Sequence, residues 1–198
     1  MFLQRLKLAT RDRHSALERQ LPLLDPTLSH EAYRQFLSRF FGYYAPLEAR
    51  LDVSPWWGQI GLDYAERRKT PGLAQDLIAL GIAPAALARV PPCRELPDLA
   101  SSARLLGCLY VIEGATLGGQ IITRHLHTHL GLTPRSGAAF FSGYGAQTGS
   151  RWKAFGAQLT AYVQHSGGDD EIIDGANQTF ATIDRWLFAK PLQSWSLE

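Results

Sequence analysis

Apolar residues recur along this chain at helical rather than strand spacing. Leu3, Leu6, Thr10, His14, Leu17 and Leu21 share one face of a first helix, which should end before Pro22. Ser29 followed by Glu31 marks an N-cap and an acidic first turn. The helix it opens carries Tyr33, Phe36, Leu37, Phe40, Phe41, Tyr44 and Leu47 to about Leu51. Pro46 should bend that helix or end its regular part. Residues 52–72, broken by Pro55, Gly58, Gly61 and Pro71, read as turns and short helical pieces. A short helix over 71–81 ends at Gly81, and residues 90–97, with three prolines, form an extended connector. The longest apolar stretch runs from about Asp98 to Leu130, stopped by Gly131 and Pro134. Residues 135–149 are rich in Gly and Ser and read as a loop. Two amphipathic helices follow, over 150–165 and from Gly167 to about Ala189. No paired strand pattern occurs, so the expected class is all-α: one domain of packed, mostly antiparallel helices spanning 1–198.

Composition narrows the function. The chain has 198 residues, 45% hydrophobic and 19% charged, enough to bury a core without staples and too apolar for disorder. Cys93 and Cys108 are its only cysteines, which excludes a disulfide scaffold and any site needing four thiolates. A formal charge of +2 is too small for the electrostatic footprint of a nucleic-acid binder. Charged residues break the N-terminal segment before it can act as a secretory signal, and no window approaches eighteen apolar residues. The expectation is a soluble cytoplasmic protein with reduced thiols and neither membrane nor nucleic-acid partners.

The segment from Leu105 to Ile122 is the most informative. Gly107, Gly114 and Gly118 lie at i, i+7 and i+11, which on a helix differ in direction by only about 20°. One face of a long helix is therefore almost bare. With Gly119 the four glycines cost roughly 4 kcal/mol against alanine, so something should compensate. Close packing against another helix is one compensation. A flat ligand pressed against bare backbone is the other, with Gly118 and Gly119 permitting a kink. No strand precedes the segment and no Lys-Ser/Thr pair follows, so it is not a phosphate or dinucleotide fingerprint.

His14 has Lys7 at i−7 and Arg11 at i−3 near its face, and Glu18 at i+4. A carboxylate beside a histidine can fix its tautomer and raise its basicity. Two cations on one side can hold the carboxylates of an anionic substrate. The bland alternatives are a satisfied core histidine and a solvated basic face. His125, His127 and His129 near a helix end have no adjacent carboxylate ligand, and no Glu-x-x-His occurs, which disfavours a di-iron bundle.

Arg5-Leu-Lys-Leu-Ala-Thr-Arg-Asp-Arg-His-Ser-Ala-Leu-Glu18 resembles the proximal helix of haem oxygenases, and Glu113-Gly-Ala-Thr-Leu-Gly-Gly-Gln120 resembles their distal glycine helix. Phe140-Phe-Ser-Gly-Tyr-Gly145, followed by Trp152 and Phe155, resembles the bacterial branch associated with bacteriophytochromes. The resemblance covers nearly the whole chain in order and spacing. It implies a single-domain helical bundle with a kinked distal helix. It implies cleavage of haem to biliverdin, carbon monoxide and ferrous iron, using dioxygen and external reducing equivalents. On its terms haem b would be both substrate and cofactor, and His14 the iron ligand. Glu18 would orient His14, Lys7 and Arg11 would lie near the propionates, and Gly114, Gly118 and Gly119 would line the distal face. Electrons would come from a ferredoxin or a flavin reductase, since the chain has no flavin or iron–sulfur motif. A bacteriophytochrome would be a candidate acceptor of the biliverdin. One departure stands out: the Asp that follows the first distal glycine in the animal enzymes is Ala115 here. That substitution is the best support for a second reading, a haem-binding carrier or sensor that keeps the fold. A helical hydrolase without haem is a third.

Overall fold

The computed structural model describes residues 2–188. Eight α-helices follow in order among them: α1 (Phe2–Gln20), α2 (His30–Asp52), α3 (Trp57–Ile60), α4 (Thr70–Ala79), α5 (Ser102–Leu130), α6 (Ala139–Ser142), α7 (Thr148–Ser166) and α8 (Asp169–Phe188). Short 3-10 turns lie at Pro22–Leu24, Ala65–Arg67, Pro84–Arg89 and Gly145–Gln147. No strand occurs among the described residues. The expected last turn at Ala189 falls outside them.

Where signals are local, the elements follow the pattern. Ser29 caps α2 by accepting the Ala32 N–H at 3.1 Å, and Ser101 caps α5 by accepting the Arg104 N–H at 3.2 Å. Gly131 ends α5 in a left-handed conformation, φ 66°. Of the two outcomes expected at Pro46, a bend or an end, the end does not occur, since α2 runs through it to Asp52. A proline at 46 deprives the Gly42 carbonyl of its helical partner, and the Cys93 N–H donates to that carbonyl instead, at 2.7 Å. The absence of a side chain at Gly42 lets the connector lie this close, since a Cβ there would stand 2.6 Å from the Pro91 carbonyl oxygen. The 135–149 segment is also more ordered than its composition implied. Asp76 in α4 accepts the Ala139 and Phe140 N–H groups at 2.7 and 2.8 Å, capping α6 from a distance.

The helix α5 is the centre of the bundle and packs most extensively on α8. A Cβ at Gly107 would lie 2.2 Å from the Ile172 carbonyl oxygen, and one at Gly175 would lie 2.5 Å from that of Arg104. Bare backbone on both helices brings them together. By length and hydropathy α5 could cross a bilayer, which corrects the expectation that no segment could. Its apolarity has another cause, because more than half of that window is buried inside the protein. The helix is uninterrupted from Ser102 to Leu130, and none of its glycines has a positive φ. The bend that Gly118 and Gly119 permit is therefore not a break.

Candidate functional site

Helices α1 and α5 both pack on α7 and α8 but touch each other little. They meet where Tyr110 hydrogen-bonds the Thr10 side chain, and Thr10 in turn donates to the Leu6 carbonyl at 2.9 Å. His14 stands one turn beyond Thr10, and Gly118 two turns beyond Tyr110. The chain just after α1 returns to α5 where His125 meets the Asp25 carbonyl at 3.1 Å, so His14 and Gly118 both lie between these two contacts, and the space between the two stretches is the candidate cleft.

On the α1 wall, Thr10 and Leu17 are buried, whereas the His14 side chain is 51% exposed. His14 therefore sits at the edge of the apolar stripe, not within it. Its ring meets Phe180 of α8 edge-on at 5.6 Å. Glu18 approaches its Nε2 at 3.5 Å, longer than an ordinary hydrogen bond. Lys7 and Arg11 are exposed, and Arg11 pairs with its neighbour Asp12 at 3.1 Å. All four predicted residues of α1 thus lie on solvent-accessible surface.

The structure sorts the glycines of the α5 wall. A Cβ at Gly118 would meet nothing within 4 Å. One at Gly114 would touch only the far edge of the Trp152 ring, at 3.6 Å. One at Gly119 would stand 2.1 Å from the Phe141 carbonyl oxygen. Gly107 and Gly119 are thus bare because another segment packs against them. Gly118 is bare with open space beside it, so close packing does not account for it. The exposed side chains of Leu117 and Ile121 flank it. An exposed imidazole on one wall and an uncovered, side-chain-free backbone on the other suit a flat, largely apolar ligand with a coordinating metal.

Residues 1–189 match the family model described as "Heme oxygenase". The chain belongs to the haem oxygenase family. Members of this family are enzymes that degrade haem. A protein of Xanthomonas campestris pv. campestris (strain 8004) named "Heme oxygenase" is 32% identical over 162 residues, covering 81% of this chain and 91% of that one. The fold matches heme oxygenase-1 of Synechocystis sp. PCC6803 in complex with heme, with a TM-score of 0.69, 19% identity, and 94% and 90% of the two chains covered. It also matches the NO- and CO-bound heme oxygenase of Neisseria meningitidis, with a TM-score of 0.73, 22% identity, and 98% and 95% covered.

Within this haem oxygenase fold the sequence reading missed a buried ionic cluster. Glu113, 1% exposed, accepts from Arg67 Nη1 at 2.6 Å, from Lys69 Nζ at 2.9 Å and from the Tyr144 hydroxyl at 2.7 Å. Burial pulls the Lys69 ammonium below its ordinary range, against the opposing pull of Glu113. Burial likewise pushes the Tyr144 phenol up. The signal was available: Glu113 is the only charged residue between Arg104 and Arg124, and a carboxylate inside so apolar a helix must be paired. His125, near the other end of α5, hydrogen-bonds the Asp25 carbonyl at 3.1 Å and lies beside the ring of His129.

Proposed function

We propose that this protein cleaves haem to biliverdin, carbon monoxide and ferrous iron, with haem b held between α1 and α5 and His14 as the iron ligand. The observation that carries the reading is the uncovered backbone at Gly118 on a helix that otherwise uses its glycines for packing. A half-exposed histidine on the facing helix completes the fit.

Bound haem supplies both the iron at which dioxygen is reduced and the porphyrin that is oxidised. The chain's own groups hold and orient it. His14 presents an imidazole without thiolate character, a globin-like ligand. Glu18, 3.5 Å from a ring nitrogen of His14, would fix the orientation and tautomer of the imidazole. Lys7 and Arg11, both exposed on α1, would supply the cations for the propionates. Gly118, with Gly114 beside it, lets the distal wall approach the porphyrin more closely than any side chain would allow. Gly119 contributes indirectly, by letting α6 pack against the back of the same stretch. Ala115 offers no polar group, so water in this cleft must be held by backbone or by other side chains.

The electron donor would be a separate ferredoxin or flavin reductase. A bacteriophytochrome is the candidate acceptor of the bilin, on the resemblance carried by residues 140–145, 152 and 155. The setting that suits these partners is the cytoplasm. The test is to load the protein with hemin, supply ascorbate or ferredoxin with its reductase in air, and identify the tetrapyrrole. Biliverdin supports the reading. Recovery of intact haem would instead favour a carrier.

A further inference from the structure

The bare face of α5 raises a mechanical problem. Side chains normally set the register of packed helices by fitting ridges into grooves. Gly107 and Gly119 are wedged against the backbone of α8 and α6, but between them the bare face at Gly114 and Gly118 has no ridges and little packed on it. A rotation of about 60° would bring Ala115 or Ile121 to the direction of Gly118. The haem-facing wall would then carry a side chain. Over that uncovered stretch a hold from another face of α5 is needed as well.

We propose that Glu113 is a positioning residue that fixes the register of the haem-facing stretch of α5. It lies about 140° around the helix from Gly118, on the opposite face. Its three donors all come from outside α5, so they report its position to the rest of the fold. Arg67 and Lys69 belong to the strap joining α3 to α4, and Tyr144 follows α6. The donors are linked to each other, since Lys69 Nζ also donates to the Tyr144 hydroxyl at 2.6 Å. The strap is itself pinned to α2. Glu48, 4% exposed, accepts from the Tyr64 hydroxyl at 2.8 Å, the Lys69 N–H at 2.5 Å and the Thr70 N–H at 3.0 Å. Two buried carboxylates, one on α2 and one on α5, thus both hold residues 64–70. A buried ion cluster is weak evidence of stability, and its best-attested use is to specify one register among several. An apolar side chain at 113 would fill the space without defining an angle.

This inference rests on the haem reading for its purpose but not for its geometry, and the experiment separates the two. The first arm measures amide hydrogen exchange in the haem-free chain for the parent, Glu113→Gln and Lys69→Met. Lys69→Met keeps Arg67 and Tyr144 and serves if Glu113→Gln does not fold. Exchange across residues 114–121 should rise tenfold or more, while residues 6–17 of α1 keep their parental rates. The second arm loads hemin, reduces it, adds carbon monoxide as a probe and records its stretching band. The parent should give one band, and the variants a split or shifted one. Parental exchange at 114–121, a rise spread evenly over all helices, or an unchanged carbon monoxide band would each overturn the proposal. If the parent binds no haem, the haem reading fails, while the exchange arm still decides whether Glu113 sets the register.

Discussion

Gly119 lies against the carbonyl oxygen of Phe141 so closely that a side chain there would begin 2.1 Å from it, whereas its neighbour Gly118 faces open space. Adjacent glycines of one helix therefore serve different ends, and alanine substitution should separate them. Gly118→Ala should stabilise the protein by about 0.5–1 kcal/mol, because the backbone is helical and the methyl has room. The same methyl stands where haem and oxygen would be, so bilin formation should fall well before haem affinity does. Gly119→Ala should destabilise by about 1–3 kcal/mol or more, since α6 must move away. Thermal melts of the two variants should shift in opposite directions. A Gly118→Ala variant with parental turnover would remove Gly118 from the distal wall.

His14→Ala removes a half-exposed side chain whose packing contact is one edge of Phe180. Its effect on stability should be small, about 0.5 kcal/mol. Its effect on haem should be large: the ferric and ferrous absorption spectra should lose the signature of histidine ligation. Spectra matching the parent's would show that another group binds the iron.

Lys7 and Arg11 are exposed, and among the described residues neither forms a buried ion pair. Reversing both charges, Lys7→Glu with Arg11→Glu, should leave the fold intact. Haem affinity should fall, and more steeply at low salt, because exposed charges are screened as ionic strength rises. A haem titration at two salt concentrations measures this directly. Parental affinity at both, with the parental bilin isomer, would place the propionates elsewhere.

Asp76 caps α6 from a fully buried position, and burial raises its carboxyl from 3.8 to about 6. The folded state therefore holds the proton more tightly than the unfolded chain. The associated stability, on the order of 3 kcal/mol, is fully present below about pH 4 and lost as pH rises through about 6. Asp76→Asn cannot titrate, so the difference between parent and variant isolates this group. Urea unfolding at pH 4, 5, 6 and 7 should show the parent gaining on the variant as pH falls. A constant difference across that range would contradict the assignment.

The sequence made legible what neighbouring residues decide. Ser29 and Gly131 cap their helices through groups within a few positions, and helical spacing placed every long helix. Contacts between distant residues stayed hidden. Nothing near Pro46 announces that Cys93 will take up the Gly42 carbonyl, and nothing near Ala139 announces Asp76. The candidate site divides the same way. His14, Lys7, Arg11 and Glu18 share one helix, so their spacing placed them together. The glycines could be read only as a bare stripe, because which of them are covered depends on α6, α7 and α8. Glu113 stood in the same motif, but its partners lie 44 and 46 residues earlier and 31 later.

The central claim is that the cleft between α1 and α5 both binds haem and destroys it. The direct test is to load the parent with hemin, reduce it anaerobically, admit oxygen with reductant in excess, and follow the Soret band while collecting the gas phase. The account predicts loss of the Soret band, growth of biliverdin absorption and about one carbon monoxide per haem. A Soret band that persists, with no carbon monoxide released, would contradict it.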